Sequence, residues 1–293
     1  MGFFNEHVAV KVPQITIYFW IIKVLATTVG ETFADFLTDN VGLGLGGTSG
    51  VMLVILLISL AGQMKLDFYF APLYWFVIVA ISTVGTLLSD NLTDNLNVPL
   101  EVTTPIFCVL LGIVFFSWYR VEKNLSIHCI FTRRREAWYW LAVLVTFALG
   151  TSAGDLIAEQ LDVGYGNSLV LFAVCILIVG LLWWFKVING VLGFWVVYVL
   201  TRPLGASLGD LMSQNPADSV DSGWKAGLNL GTTVTSMIFL GCIAVLVFYL
   251  TITKKDTMKT QVQVDLEKGE TAGATSTTSV NHDYVLADNN TTQ

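Results

Sequence analysis

A tryptophan, a glycine ten residues later, an aspartate five beyond it and another acid or amide after four more form a pattern that this chain repeats four times. The copies are Trp20, Gly30, Asp35, Asp39; Trp75, Gly85, Asp90, Asp94; Trp140, Gly150, Asp155, Glu159; and Trp195, Gly205, Asp210, Gln214. Such regular spacing defines four equivalent structural units, and a fold built from them must give the four aspartates equivalent surroundings. The residues between each Trp and Asp are apolar enough to lie in a bilayer. A carboxylate is costly there and marks function by default.

Composition makes the bilayer reading general. With 293 residues, 54% hydrophobic, 13% charged and a mean hydropathy of +0.69, the chain has more apolar surface than one soluble core can hide. Apolar runs of the ~20 residues needed to cross a hydrocarbon layer occur near 15–39, 49–64, 71–94, 104–119, 137–159, 168–187, 190–213 and 230–252. The expected fold is all-α: a polytopic membrane protein of eight transmembrane helices, two per repeat. The first run is too long for a signal-peptide core and carries Glu31 and Asp35, so it reads as a retained span. Cys108, Cys175 and Cys242 fall in spans and Cys129 in a loop, without Cys-x-x-Cys spacing, which suits inert packing.

The net charge of −7 conceals a segregation of signs. Lys11, Lys65, Arg120, Lys123, Arg133, Arg134, Arg135, Lys186, Lys254, Lys255 and Lys259 lie in the termini or between repeats, whereas connections inside repeats carry only Lys225. The positive-inside rule then predicts cytoplasmic termini. An even number of spans per repeat gives all four repeats the same, parallel orientation. The chain divides into an N-terminal cytoplasmic segment (1–14), repeat 1 (15–66), repeat 2 (67–119), a basic loop (120–136), repeat 3 (137–188), repeat 4 (189–253) and a tail (254–293). The tail is too polar to offset the cost of ordering.

Helical spacing puts Glu31, Asp35 and Asp39 on one winding stripe, echoed by Thr86, Asp90, Asp94, by Thr151, Asp155, Glu159 and by Ala206, Asp210, Gln214. Crowded carboxylates cannot face lipid, so the stripes face a shared interior. Small residues at Gly30 and Ala34, Gly85 and Ser89, Gly150 and Gly154, and Gly205 and Gly209 permit close helix approach. Thirteen residues after the key Asp a hydroxyl recurs as Thr48, Thr103 and Ser168, displaced in the fourth copy to Thr232 or Thr233. It serves as a helix N-cap or an added oxygen ligand. The Gly42 to Gly50 run reads as a flexible turn. The four Trp, each after an aromatic, suit interfacial anchoring or packing between repeats. Among the in-span cations, Arg202 is placed as a counter-ion to the acids, while Lys23 either snorkels to the near surface or stays inside.

In these residues, about 15–252 and including all four Trp-to-Asp units, the chain resembles the bacterial integral membrane proteins of unknown function built from four tandem repeats, each with two transmembrane helices and a tryptophan. The resemblance implies an architecture and no substrate; Gln214 in place of an acid and the segment from Asn215 to Trp224 depart from the pattern.

The residues themselves suggest a substrate. Carboxylate, amide and hydroxyl oxygens form a hard ligand set, and none of His7, His128 and His282 lies in a span, which favours Mn²⁺, then Ca²⁺ or Mg²⁺. The expected function is a divalent-cation transporter in the plasma membrane, not an enzyme and without a resident cofactor, with protons as a candidate counter-substrate. Asp35, Asp90, Asp155 and Asp210 form its expected metal site, supported by Asp39, Asp94, Glu159 and Glu31. A cation channel or proton pathway is the nearest rival, then a non-transporting sensor or scaffold. An intramembrane aspartyl protease is weaker because the Gly-x-Gly-Asp signature is absent, and a retinal pigment weaker still because no Lys occupies the middle of the seventh span.

Overall fold

The structure, a computed structural model, describes residues 10–215 and 227–257. Expectations for His7, the segment beyond Asn215 as far as Trp224, Lys225, Lys259 and most of the tail with His282 concern residues outside that set. Among the described residues every regular element is helical, and eight helices are long and apolar enough to cross a membrane. They are α1 (Ile17–Asp35), α2 (Gly44–Lys65), α3 (Ala71–Asp90), α4 (Leu100–Glu122), α5 (Arg133–Asp155), α6 (Tyr165–Trp184), α7 (Gly190–Ser213) and α8 (Thr232–Thr253).

Two kinds of helix alternate. The apolar stretches of α1, α3, α5 and α7 are 56–72% buried, whereas those of α2, α4, α6 and α8 are only 17–28% buried. The first helices of the repeats form a closed inner ring in which α1 packs on α3, α3 on α5, α5 on α7 and α7 on α1. Each second helix lies outside the first helix of the following repeat: α2 on α3, α4 on α5, α6 on α7, and α8 back on α1. Hence no repeat is covered by its own outer helix alone, and the ring closes only when the fourth repeat returns to the first. Leu57, Ile58, Ile113, Phe116, Leu177, Ile178, Met237 and Val245 point outward from the outer helices, a surface suited to lipid.

Glycine sets the inner spacing. A Cβ on Gly30 would overlap Ser82, one on Gly85 would overlap Phe147, one on Gly150 would overlap Arg202, and one on Gly205 would overlap Thr27. In each case the partner lies three residues before the glycine of the next repeat, so one contact recurs around the ring. The small-residue pattern therefore lies on the inner contact, where backbones approach most closely.

The outer helices begin about a turn earlier than hydropathy alone predicts in repeats 1 to 3. The Gly-rich run is a turn only through Gly42 and Gly44, both with left-handed backbone (φ +76° and +65°); from Gly44 onward it is helix. Consequently Thr48, Thr103 and Ser168 are not N-caps. They sit one turn inside α2, α4 and α6, fully buried. In the fourth repeat the equivalent residue is Thr235 rather than Thr232 or Thr233, because Thr235 follows Gly231 as Ser168 follows Gly164, four residues on.

The end remote from the aspartates is stapled shut. Glu136, expected at the edge of the basic loop, lies inside α5, since Thr132 caps that helix at the Arg135 N–H. It pairs with Lys11 at 3.0 Å, both side chains at most 2% exposed, and also accepts from the Trp140 indole at 3.4 Å. Part of the expected tail is packed too: Asp256 is 2% exposed, accepts the Tyr69 hydroxyl at 2.5 Å, and its carbonyl accepts the Gln14 N–H. Burial at this end pushes the Tyr69 hydroxyl and the Asp256 carboxyl above their ordinary values.

Candidate cation site

Counting in fours along α1, α3, α5 and α7 reads the interior level by level. At the first level Phe19, Tyr74, Tyr139 and Phe194 each meet the tryptophan of the next repeat, with ring centroids 5.6 Å apart for Phe19 and Trp75, 5.4 Å for Tyr74 and Trp140, 6.2 Å for Tyr139 and Trp195, and 5.6 Å for Phe194 and Trp20. The hydroxyls of Tyr74 and Tyr139 are 2.5 Å apart. Of the two roles considered for the tryptophans, packing between repeats is the one observed. Trp75, Trp140 and Trp195 are buried, and only Trp20 is half-exposed.

One turn further on lie Lys23 and Tyr198. Lys23 does not snorkel: it is fully buried, with its ammonium 4.1 Å from the Phe147 ring centre and 4.2 Å from that of Tyr198. Its Nζ has no hydrogen-bond partner within the described residues, so the ring faces supply its stabilisation.

The next levels hold Arg202 and Glu31. Arg202 is fully buried; its Nη2 donates to Glu31 Oε2 at 2.7 Å, to Thr151 Oγ1 at 2.7 Å and to Thr86 Oγ1, while Nη1 reaches the Thr27 carbonyl at 3.3 Å. One guanidinium carried by α7 thereby joins the other three inner helices. The counter-ion role expected for Arg202 is met most directly by its ion pair with Glu31.

Above this pair the carboxylates gather. One carboxylate oxygen from each of Glu31, Asp155 and Asp210 lies within 4.8 Å of the other two, with Glu31 and Asp210 buried and Asp155 half-buried. Asp35 and Asp90 occupy the same register on α1 and α3, half-buried, but are not part of this trio. One turn outward, Asp39, Asp94 and Glu159 are exposed. They sit in a single π-helical turn that starts directly after the key aspartate in three repeats, at Phe36–Asn40, Asn91–Asn95 and Leu156–Gln160. The i+5 bonds from Val41 to Phe36 (3.0 Å), Leu96 to Asn91 (3.1 Å) and Leu161 to Leu156 (2.9 Å) widen the helix there. The arrangement is a graded acidic funnel: three exposed acids outside, the aspartate level inside, and a guanidinium beneath.

The sequence reading singled out all eight acids but gave Glu31 a supporting place, whereas its carboxylate belongs to the innermost trio. It did not anticipate Thr27, the hydroxyls of Thr86 and Thr151 as partners of Arg202, or Tyr198 as partner of Lys23. Counting back in fours from each key Asp would have found them.

These features define a class: an all-helical repeat protein with eight membrane-length helices and carboxylates converging on the axis of an inner ring. Residues 18–69, 73–124, 138–188 and 193–256 match the family described as Repeat of Unknown Function (DUF347), and the chain belongs to that family. No curated protein and no solved structure matches it.

Proposed function

We propose that the protein is a carrier for a hard divalent cation, Mn²⁺ foremost and then Ca²⁺ or Mg²⁺, in the plasma membrane, with its four repeats parallel, both termini cytoplasmic and the acidic funnel facing outward. The observation that carries this reading is the convergence of Glu31, Asp155 and Asp210 in the interior of a membrane-type bundle. Three oxygens no more than 4.8 Å apart always leave a point within about 2.8 Å of all of them (4.8/√3), and a small inward movement reaches the ~2.3–2.6 Å of calcium–oxygen bonds. The donors are all oxygen, which suits Mn²⁺, Ca²⁺ and Mg²⁺ and not softer metals.

Asp39, Asp94 and Glu159 raise the local concentration of cations at the mouth. Asp35, Asp90, Asp155 and Asp210 exchange their oxygens for the waters an entering ion loses, and Glu31 completes the inner set. A carrier fits better than a channel. Two buried cations, Arg202 and Lys23, and then a layer of packed aromatic rings stand between the acids and the basic end, so passage needs a change of shape. Mutually repelling carboxylates suit proton counter-transport.

The test is flux of Mn²⁺ into proteoliposomes. Asp155→Asn with Asp210→Asn is expected to lower the initial rate at least ~100-fold, since two of three inner ligands lose their charge. Undiminished flux in the folded double variant would sink the assignment.

A further inference from the structure

Arg202 stands where a cation on the axis would go. The positions eight residues before the repeated aspartates are Thr27, Ser82, Phe147 and Arg202, and only the last is charged. Its Nη2 is held by a carboxylate and two hydroxyls from three different helices, and a carbonyl of α1 accepts from Nη1. These are the oxygen types that replace water around a metal ion. Arg202 Nε, also buried, has no acceptor among the described residues, so within them the guanidinium is incompletely satisfied where it sits.

We infer that Arg202 is a tethered competitor for the transported cation: it holds Glu31 while the site is empty, releases it when a divalent ion enters, and closes the inner end of the pathway in the meantime. This rests on the cation-carrier reading.

The chemistry follows from Glu31 belonging to two sets. It is the acid paired with Arg202, and it is one of the three carboxylates within 4.8 Å of each other. A guanidinium keeps its charge at every pH a cell meets, so Arg202 cannot yield to a metal by losing a proton and must move away or weaken the metal's binding. Its stem is fixed, because Gly150 of α5 packs directly on Arg202 Cβ and Cγ. Only the guanidinium end is left to move. An arginine acting solely as a structural tie would stabilise the ring without affecting metal affinity.

The experiment measures Mn²⁺ binding to the purified, full-length protein by calorimetry, beside Asp155→Asn with Asp210→Asn as the reference for a lost site. Arg202→Gln, which removes the charge, is expected to bind Mn²⁺ at least ten-fold more tightly than the unaltered protein and to let Mn²⁺ leak through proteoliposomes under voltage alone. Arg202→Lys, which keeps it, is expected to remain near the unaltered affinity. Thr86→Val with Thr151→Val retains the guanidinium but removes two of its acceptors, and is expected to tighten Mn²⁺ binding several-fold; it carries the test if Arg202→Gln does not fold. Unchanged or weaker binding in the folded Arg202→Gln protein, or in the double threonine variant, overturns the inference while leaving the carrier intact. Equal tightening by Arg202→Lys and Arg202→Gln also overturns it, because charge would then not be the cause. If the unaltered protein binds no Mn²⁺ that the aspartate variants abolish, the carrier reading falls as well.

Discussion

At the scale of single residues, three buried cations have three different solutions to leaving water. Arg202 has a carboxylate with hydroxyl and carbonyl oxygens, Lys11 has a carboxylate and the Met64 carbonyl, and Lys23 has two aromatic faces. The Lys11–Glu136 pair can be tested for stability apart from function, because it lies at the end opposite the acids. Removing one member of a buried pair leaves an uncompensated charge, at a cost of ~3–5 kcal/mol, whereas removing both is near neutral. Glu136→Gln should therefore destabilise the protein by about that amount, since glutamine still accepts from Trp140 but leaves Lys11 charged. Adding Lys11→Met should restore most of the loss. Unfolding in mixed micelles reads both, and a double variant no more stable than the single one would contradict the argument. The sequence placed Arg202 among the acids because the repeat register is strict. It left Lys23 open, since a long amphipathic side chain on an inner helix reaches the surface or folds inward according to which rings surround it, and Phe147 comes from a different repeat.

At the scale of helices, burial separates glycines that are identical in sequence. Gly85 lies against Phe147 and the Ala148 N–H group of α5, so Gly85→Ala forces two inner helices apart; overpacking of this kind costs ~1–3 kcal/mol. Gly112 on α4 has open space around it, and Gly112→Ala should be neutral or stabilise by about 0.5–1 kcal/mol through helix propensity. Thermal unfolding of the two variants side by side distinguishes them, and equal effects would mean that the inner ring is not tightly closed. Inner helices were readable because each carries the Trp, Gly and Asp markers at one spacing. The starts of the outer helices were not. Gly-Leu-Gly-Gly-Thr at 44–48 looks like loop by propensity, and packing of the buried Thr48 overrides that preference. The insertion before α8 likewise obscured Thr235, whose place follows from its spacing after Gly231.

At the scale of the whole molecule, cyclic closure separates charge along one axis: acids and π-helical turns at one end, and at the other the connections with most of the lysines and arginines, beside the buried Lys11 and Asp256. Repetition explains why this polarity was legible, since four equivalent helices closed into a ring repeat each side chain's setting and any bias in one copy is multiplied by four. What repetition could not reveal is how the fourfold pattern is broken. One guanidinium and one ammonium, each from a single repeat, lie below four equivalent aspartates; in the proposed carrier the symmetric positions would gather cations and the unique ones would decide whether the path is open. The sidedness of the proposed carrier follows from the same polarity. In a background with Cys108, Cys129, Cys175 and Cys242 replaced by Ser, Leu96→Cys at the acidic end should react with a membrane-impermeant maleimide on intact cells. Lys65→Cys at the basic end should react only after the membrane is opened, because basic connections are retained on the cytoplasmic side. The reverse labelling would turn the funnel inward, so that the acids would gather cations from the cytoplasm and the carrier would load from that side.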